Sequence, residues 1–481
     1  MARPIMLQGT MSNVGKSYLT AALCRIFKQD GYSAAPFKSQ NMALNSYITA
    51  DGLEMGRAQA MQAQAAGIEP SVLMNPVLLK PTTDVGSQVI VKGKARGNMK
   101  ARDYFRHKTA LMPEILDAYR KLSDAHDILV IEGAGSPVEL NLKADDIVNM
   151  GLAQAVCSPV LLIGDINCGG IFAQLLGTLS LLEPQERSLV KGLIVNQFRG
   201  DASLFADGVH ILEERGNCPV LGVVPYVHAD IEDEDSLSHK LEASAVTGCI
   251  DIAVIRLPHI SNFTDFDALT QYDGVSVRYV SRYEALGTPD LCILPGTKST
   301  IADRRWLRTS GLETALLRLH DTPIFGICGG YQMLGTRISD PAFAEGGGEV
   351  QGLGLLPGET VFSPDKHQSQ VQGTLPVISD GFWSCLSGAR YEGYEVHMGR
   401  TPGGCLCAKG NTAGSYIHGI FDTAECAGAL VRALYDRKGL QFDGTAIDRK
   451  AYREAQFDIL ADAVRKSLDM DKIYRILEDG I

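Results

Sequence analysis

Apolar residues in the first half of the chain come in short unbroken runs rather than in alternation with polar ones. The runs Ile5–Gln8, Ala34–Lys38, Ile128–Glu132, Val160–Asp165 and Gly192–Asn196 predict strands. Strands apolar on successive residues are buried on both faces, which predicts a parallel sheet with helices on each side. Between them apolar residues recur at helical spacing, predicting helices over Tyr18–Lys28, Met112–Leu122 and Ile171–Leu182. The pattern lapses between Tyr226 and Thr247, where Ile231-Glu232-Asp233-Glu234-Asp235-Ser236 reads as a solvated acidic linker. A second α/β series opens at Ile250–Ile255 and continues through Val275–Val280, Leu291–Leu294 and Pro323–Ile327. Residues Tyr391 to Phe421 are richer in Gly, Tyr and short β-like runs. Beyond Gly439 the chain reads as a charged helical tail.

Composition narrows the function classes. At 481 residues the chain is too long for one ordinary core, and 45% hydrophobic with 21% charged residues is the balance of a globular protein. A net charge of −11 argues against non-specific nucleic-acid binding or docking on anionic membranes, though a local phosphate site remains compatible with it. No apolar stretch approaches the ~20 residues of a membrane span, so no membrane insertion is expected. No signal peptide is expected either, because Met1-Ala2-Arg3-Pro4 leads straight into a strand. The 11 cysteines are scattered, with no CxxC pair; Cys405 and Cys407 are too close for a metal finger and are expected on a strand. Free thiols in a reducing cytoplasm are the expectation.

Two segments carry chemistry. Gly9-Thr10-Met11-Ser12-Asn13-Val14-Gly15-Lys16-Ser17 follows a strand and precedes a helix. There, successive backbone N–H groups converge on phosphate, Lys16 neutralises its charge and the Ser17 hydroxyl ligates Mg²⁺. Five residues separate its glycines, one more than in the common pattern. Glu132 ends a buried strand in Glu132-Gly133-Ala134-Gly135, where a carboxylate can hold the metal against the phosphates. Lys38 ends the second strand and could steady a transferring phosphoryl group. Asp51 and Glu54 are further candidate metal carboxylates.

In the second half, Gly326-Ile327-Cys328-Gly329-Gly330 lies between an apolar strand and a helical segment. Such a turn presents a thiol at a helix N-terminus, where the dipole lowers its pKa, and aims the Gly329 N–H at an oxyanion. The turn containing Gly296 and Thr297 is a candidate second donor. A thiolate nucleophile needs a base, and the residues alone leave His418 and His397 as candidates.

The second half resembles class I glutamine amidotransferases, which hydrolyse glutamine to ammonia at a Cys-His site. The match rests on Gly326-Ile327-Cys328-Gly329-Gly330-Tyr331-Gln332 together with His418. The resemblance implies His418 as base and a glutamine pocket around Gly296, Gly329, Gln332 and His397. Members commonly carry Glu two residues after the histidine, whereas this chain has Ile420; a Cys-His dyad, or a third partner elsewhere, is implied. The first half resembles dethiobiotin synthetase-like ATPases, which implies nucleotide binding by Gly9, Asn13, Gly15, Lys16, Ser17 and Lys38, with Asn196 reading adenine. Metal binding is expected at Ser17, Glu132 and Glu54.

Both halves in this order, with Gln40-Asn41-Met42-Ala43-Leu44-Asn45-Ser46, Glu54-Met55-Gly56-Arg57-Ala58-Gln59 and Leu294–Ser299, closely resemble the cobyric acid synthase family. The resemblance implies an α/β fold in which a P-loop parallel-sheet ATPase domain, residues 1–230, is followed by an acidic linker, 231–248. A class I glutamine amidotransferase-like α/β domain, 249–440, and a helical tail, 441–481, complete the chain. ATP and Mg²⁺ are the implied cofactors, glutamine and a corrinoid the substrates. The implied reaction amidates four peripheral carboxylates of adenosylcobyrinic acid a,c-diamide through acyl phosphates. Two alternatives stand beside it: a cobyrinic acid a,c-diamide synthase, and a non-catalytic partner-binding ATPase.

Overall fold

Six parallel strands form the first sheet, in the order Val220–Pro225, Val190–Phe198, Val160–Asp165, Arg3–Gly9, Ile128–Glu132 and Ala34–Phe37. The computed structural model describes residues 1–83, 86–231, 246–442, 444 and 448–481. All five strands expected in the first half are present, and Val220–Pro225 is a sixth. Register sets Leu7 beside Glu132, so the loop after Gly9 and the carboxylate share one end of the sheet. The helix Lys16–Gln29 buries Leu19, Leu23, Ile26 and Phe27, one face at helical spacing. Gly15 precedes it at φ 90°, a left-handed conformation that glycine adopts without strain.

The second sheet runs Val275–Val280, Ile250–Ile255, Leu291–Leu294, Ile324–Ile327, Thr412–Ser415 and Cys407–Lys409, with only the last strand antiparallel. Beside it lies a four-stranded sheet dominated by the antiparallel pair Glu359–Thr374 and Arg390–Arg400. This long hairpin reaches the first domain. Tyr394 Oη donates to the Ser46 carbonyl at 3.1 Å, and Tyr394 and Val396 pack on Ile48. The short hairpin Ser46–Ile48/Glu54–Gly56 is the first domain's side of this boundary.

The expected acidic linker falls mostly outside the described residues. Its first member, Ile231, is buried in the first domain's core and accepts a hydrogen bond from Tyr18. The residues expected as a tail do form helices, Arg449–Ser467 and Met470–Asp479. They dock against the helix Lys16–Gln29: Phe457, Leu460, Val464, Ile473 and Leu477 are buried with it, and Arg25 pairs with Glu454 at 2.7 Å and Asp458 at 2.8 Å. The first core is therefore built from both ends of the chain. Among the described residues, no helix is long and apolar enough to cross a membrane.

Candidate active site

The phosphate loop closes over the carboxyl end of the first sheet. Lys16 Nζ donates to the carbonyls of Met11 at 2.9 Å and Gly135 at 3.3 Å, spanning the loop and the turn after Glu132. Glu132 is buried and gathers three donors: Ser17 Oγ at 2.8 Å, Lys38 Nζ at 2.8 Å and Gln62 Nε2 at 2.6 Å. Asn196 Nδ2 donates to the Val14 carbonyl at 2.7 Å and lies where a Gly15 side chain would go. Asn13 is held by Gln197, whose Nε2 donates to its carbonyl at 2.9 Å. Gly9 leaves room for Val14 and the Lys16 ammonium, which a Cβ would overlap. Gly9, Asn13, Gly15, Lys16, Ser17, Lys38, Glu132 and Asn196 thus converge on one site. The Ser17 hydroxyl and Glu132 carboxylate, hydrogen-bonded to each other, are hard oxygen donors of the kind Mg²⁺ takes.

Glu54 is not part of it, and its expected role as a metal ligand is corrected. Its buried carboxylate is held at the domain boundary by Lys80 Nζ at 2.9 Å, by Lys366 Nζ from the second domain, and by Gln368 Nε2 at 3.2 Å. Burial alone would raise its pKa, but the two ammonium groups hold it well below the ordinary carboxylate range. Both of its oxygens are engaged by these side chains, away from Ser17 and Glu132. Asp51 sits in an exposed turn, accepting from Thr49.

Cys328 follows the strand Ile324–Ile327 at φ 50°, ψ −107°, and opens the helix Gly329–Leu334. Its amide donates to the Ser415 carbonyl at 2.8 Å, tying the turn to the strand before His418. The approach is close: a Cβ on Gly330 would overlap the Leu294 carbonyl oxygen, and one on Gly329 would meet the Thr297 side chain and, at 3.1 Å, its amide nitrogen. The Gly296–Thr297 turn therefore faces the nucleophile. His418 is fully buried and stacked under Tyr394 with ring centroids 5.3 Å apart, and it lines the same cavity as Cys328, whose Sγ donates to the Val396 carbonyl at 3.6 Å. A Cβ on Gly296 would touch its ring.

His418 has a third partner. Asp265 Oδ2 accepts from its Nδ1 at 2.7 Å, and Asp265 Oδ1 from the Gly419 amide at 3.0 Å. Nδ1 is thereby occupied and Nε2 is left for the thiol. Burial pushes the imidazole pKa down, but the Asp265 carboxylate and Cys328 outweigh it and raise it to about 10. The sequence left open a dyad or a third partner elsewhere, and Asp265 is a carboxylate partner of His418. Ile420, at the position usual for the acid, is buried in the apolar core beside Phe421. Asp265 was missed because it lies 153 residues upstream, on the turn Phe263–Phe266. The available signal was its place just beyond the carboxyl end of Ile250–Ile255, where parallel sheets collect ligands.

His397 is not positioned as the base. Its Nδ1 bonds the Gly399 carbonyl at 2.8 Å, its ring stacks on Tyr416 at 3.9 Å, and it forms a wall of the Cys328 cavity. That cavity is also lined by Gln332, Lys298, Glu345, Lys366 and, from the first domain, Lys80. Gln332 is fixed by Thr300 at 3.1 Å and Tyr416 at 3.3 Å. Burial raises Glu345 to about 7 and lowers Lys298.

Two family models cover these two halves: a CobQ/CobB/MinD/ParA nucleotide binding domain over residues 5–238, and a CobB/CobQ-like glutamine amidotransferase domain over residues 251–426. A cobyric acid synthase of Lachnoclostridium phytofermentans is 54% identical over all of both chains. The chain belongs to the cobyric acid synthase family. Relatives of the same name from Ruminiclostridium cellulolyticum and Yersinia enterocolitica are 52% and 49% identical, covering 100% and 98% of this chain and 98% of each of theirs. As a member of the family it is a ligase with glutamine as nitrogen donor, and it carries out an amidation in cobalamin biosynthesis.

Proposed function

We propose that the chain converts adenosylcobyrinic acid a,c-diamide to adenosylcobyric acid, amidating its b, d, e and g carboxylates with ATP and glutamine. What supports this reading is that one chain carries the His418–Asp265 pair in the cavity of Cys328 and, in its other domain, a phosphate loop against Glu132, in a family of cobyric acid synthases. A carboxylate is a poor acyl donor because oxide is a poor leaving group. Phosphorylation by ATP replaces that leaving group with phosphate, and Lys16, Lys38 and the loop amides stabilise the charge that develops on the transferring group. Ser17 and Glu132 would hold Mg²⁺, which when bound neutralises phosphate charge.

At the second site the Cys328 thiolate attacks the glutamine amide carbon, with the Gly329 amide and the Gly296–Thr297 turn facing the oxyanion. The His418 imidazolium gives its proton to the departing nitrogen, so nitrogen leaves as neutral ammonia and a glutamyl thioester remains. Water, deprotonated by the now neutral His418, releases glutamate. Asp265 holds His418 in the orientation and tautomer this sequence needs.

Cys328→Ala tests the reading. Glutamine-dependent amidation should fall by several orders of magnitude while amidation with added ammonia survives. Loss of both in a folded variant overturns the two-site reading. Mass spectrometry of the product distinguishes the a,c-diamide synthase alternative: four amides added to the a,c-diamide support the proposal, and amidation of cobyrinic acid at a and c alone contradicts it. A partner-binding ATPase would release no glutamate at all.

A further inference from the structure

The hairpin Glu359–Thr374/Arg390–Arg400 carries a cluster of side chains that the thiol chemistry above does not use. Its register sets His367 directly opposite His397 and Ser369 opposite Glu395. Side chains alternate faces along a strand, so all four lie on one face of the hairpin. Glu395 Oε2 is 3.3 Å from His367 Nε2 and 3.3 Å from His397 Nε2. The two imidazole centroids are 5.1 Å apart, and Ser369 Oγ is 3.1 Å from His367 Nε2.

The orientation of His397 gives the cluster its character. Its Nδ1 faces the Gly399 carbonyl at 2.8 Å, and a carbonyl only accepts, so Nδ1 carries the ring proton. Nε2 then turns a lone pair toward Glu395 Oε2, itself an acceptor. Two acceptors this close need a positive charge between them, either a second proton or a metal ion. A backbone carbonyl on the far ring nitrogen is the outer support that metal-binding histidines carry. The spacing agrees: two ligands about 2.0 Å from a tetrahedral centre stand about 3.3 Å apart. That is the separation of the carboxylate oxygen from each imidazole. The three ligand atoms all lie within 4.8 Å of one another. Glu395 and His397 are half-buried and His367 is exposed, so an ion can enter from solvent.

We propose that His367, Glu395 and His397 bind a divalent transition ion, with Zn²⁺ the best match, on the hairpin beside the Cys328 cavity. Two imidazoles and one carboxylate suit such an ion, whereas Mg²⁺ takes oxygen ligands. Three protein ligands leave a fourth position for water or the Ser369 hydroxyl. Glu395 and His397 flank Val396, whose carbonyl accepts from Cys328 Sγ, and His397 is itself part of the cavity wall. The opposite strand carries Lys366 and Gln368 to Glu54 of the first domain. A bound ion therefore clamps together the strand along the thiol cavity and the strand that reaches the domain boundary.

The site is tested in Cys328→Ala, which removes the competing thiol ligand, after chelator treatment and with Mg²⁺ in excess to fill oxygen-only sites. Titration with Zn²⁺ against a chromophoric indicator should show one ion bound per chain. Co²⁺ in its place should show the ligand-field bands of a tetrahedral nitrogen–oxygen site. Adding His367→Ala removes a ligand, and affinity should fall by about 100-fold or more, since even an outer partner is worth 10–100-fold. Adding Glu395→Gln, which keeps shape and removes the charge, should weaken binding likewise. Zn²⁺ should raise the melting temperature of Cys328→Ala and leave that of either double variant unmoved. In the otherwise unaltered chain, His367→Ala should keep its metal-free glutaminase activity, which shows that the fold survives. No Zn²⁺ bound to Cys328→Ala, or undiminished affinity in both double variants, overturns the proposal.

Discussion

Asp265 sets the charge state of the thiol site, and its effect is readable in a pH profile. Against burial, and together with Cys328, it raises His418 to about 10, so the imidazolium is the neutral-pH form. The folded value lies above the ordinary ~6.5, so the Asp265–His418 interaction stabilises fully below that pH and is lost as pH climbs through the folded value. In the proposed mechanism the imidazolium is the proton donor to the leaving nitrogen, so glutaminase activity should hold through neutral pH and fall toward about 10. Asp265→Asn removes the charge that raises the group. The alkaline limb should move to lower pH, and the rate should fall on the order of 10²–10⁴-fold. An unmoved limb in a pH–rate series would remove Asp265 from the mechanism. The strand-to-helix turn at Cys328 was legible in the sequence because its glycines, strand and helix are contiguous with it. Its acid was not, since a buried carboxylate meeting a histidine across 153 positions leaves no local pattern. Glu54 misled for a related reason: carboxylates near a phosphate loop in sequence read as metal ligands, and only the boundary hairpin carries this one away.

At the scale of elements, unbroken apolar runs identified the strands well because burial on both faces leaves that signature whatever the topology. The same logic failed for Glu359–Thr374, 16 residues long with a mostly exposed or half-buried face, whose polar sequence looks like loop. That strand brings Lys366 and Gln368 to the first domain, so much of the boundary was invisible beforehand. The turn at Cys328 shows how tightly elements are matched. Gly330 lies against the carbonyl of Leu294, a backbone atom of a central strand that cannot swing aside. Gly330→Ala should cost about 1–3 kcal/mol through overpacking and displace the helix that carries Gln332. Calorimetry should show a lowered melting temperature together with impaired glutaminase; an unchanged melt would mean that the strand and helix separate freely.

Across the whole molecule, the two domains meet where Tyr394, already stacked on His418, donates to Ser46. One residue thus touches the thiol site's base and the first domain's wall, so relative movement of the domains is felt at the nucleophile. The closing helices matter as much. Phe457 is 1% exposed in the first core, and Phe457→Ala should destabilise that core by about 3–5 kcal/mol, measured by denaturant unfolding. Unaltered stability would show that the helices merely rest on the surface. Their docking has a consequence for how the protein is made. The helix Lys16–Gln29 is synthesised long before Asp458, which pairs with its Arg25 and follows 433 positions later. The sheet covers part of its apolar surface, but the part that the closing helices cover stays open until then, and the second domain must emerge and fold in the interval. The first domain is thus begun before the second and completed only after it, so the growing chain carries open apolar surface through the interval.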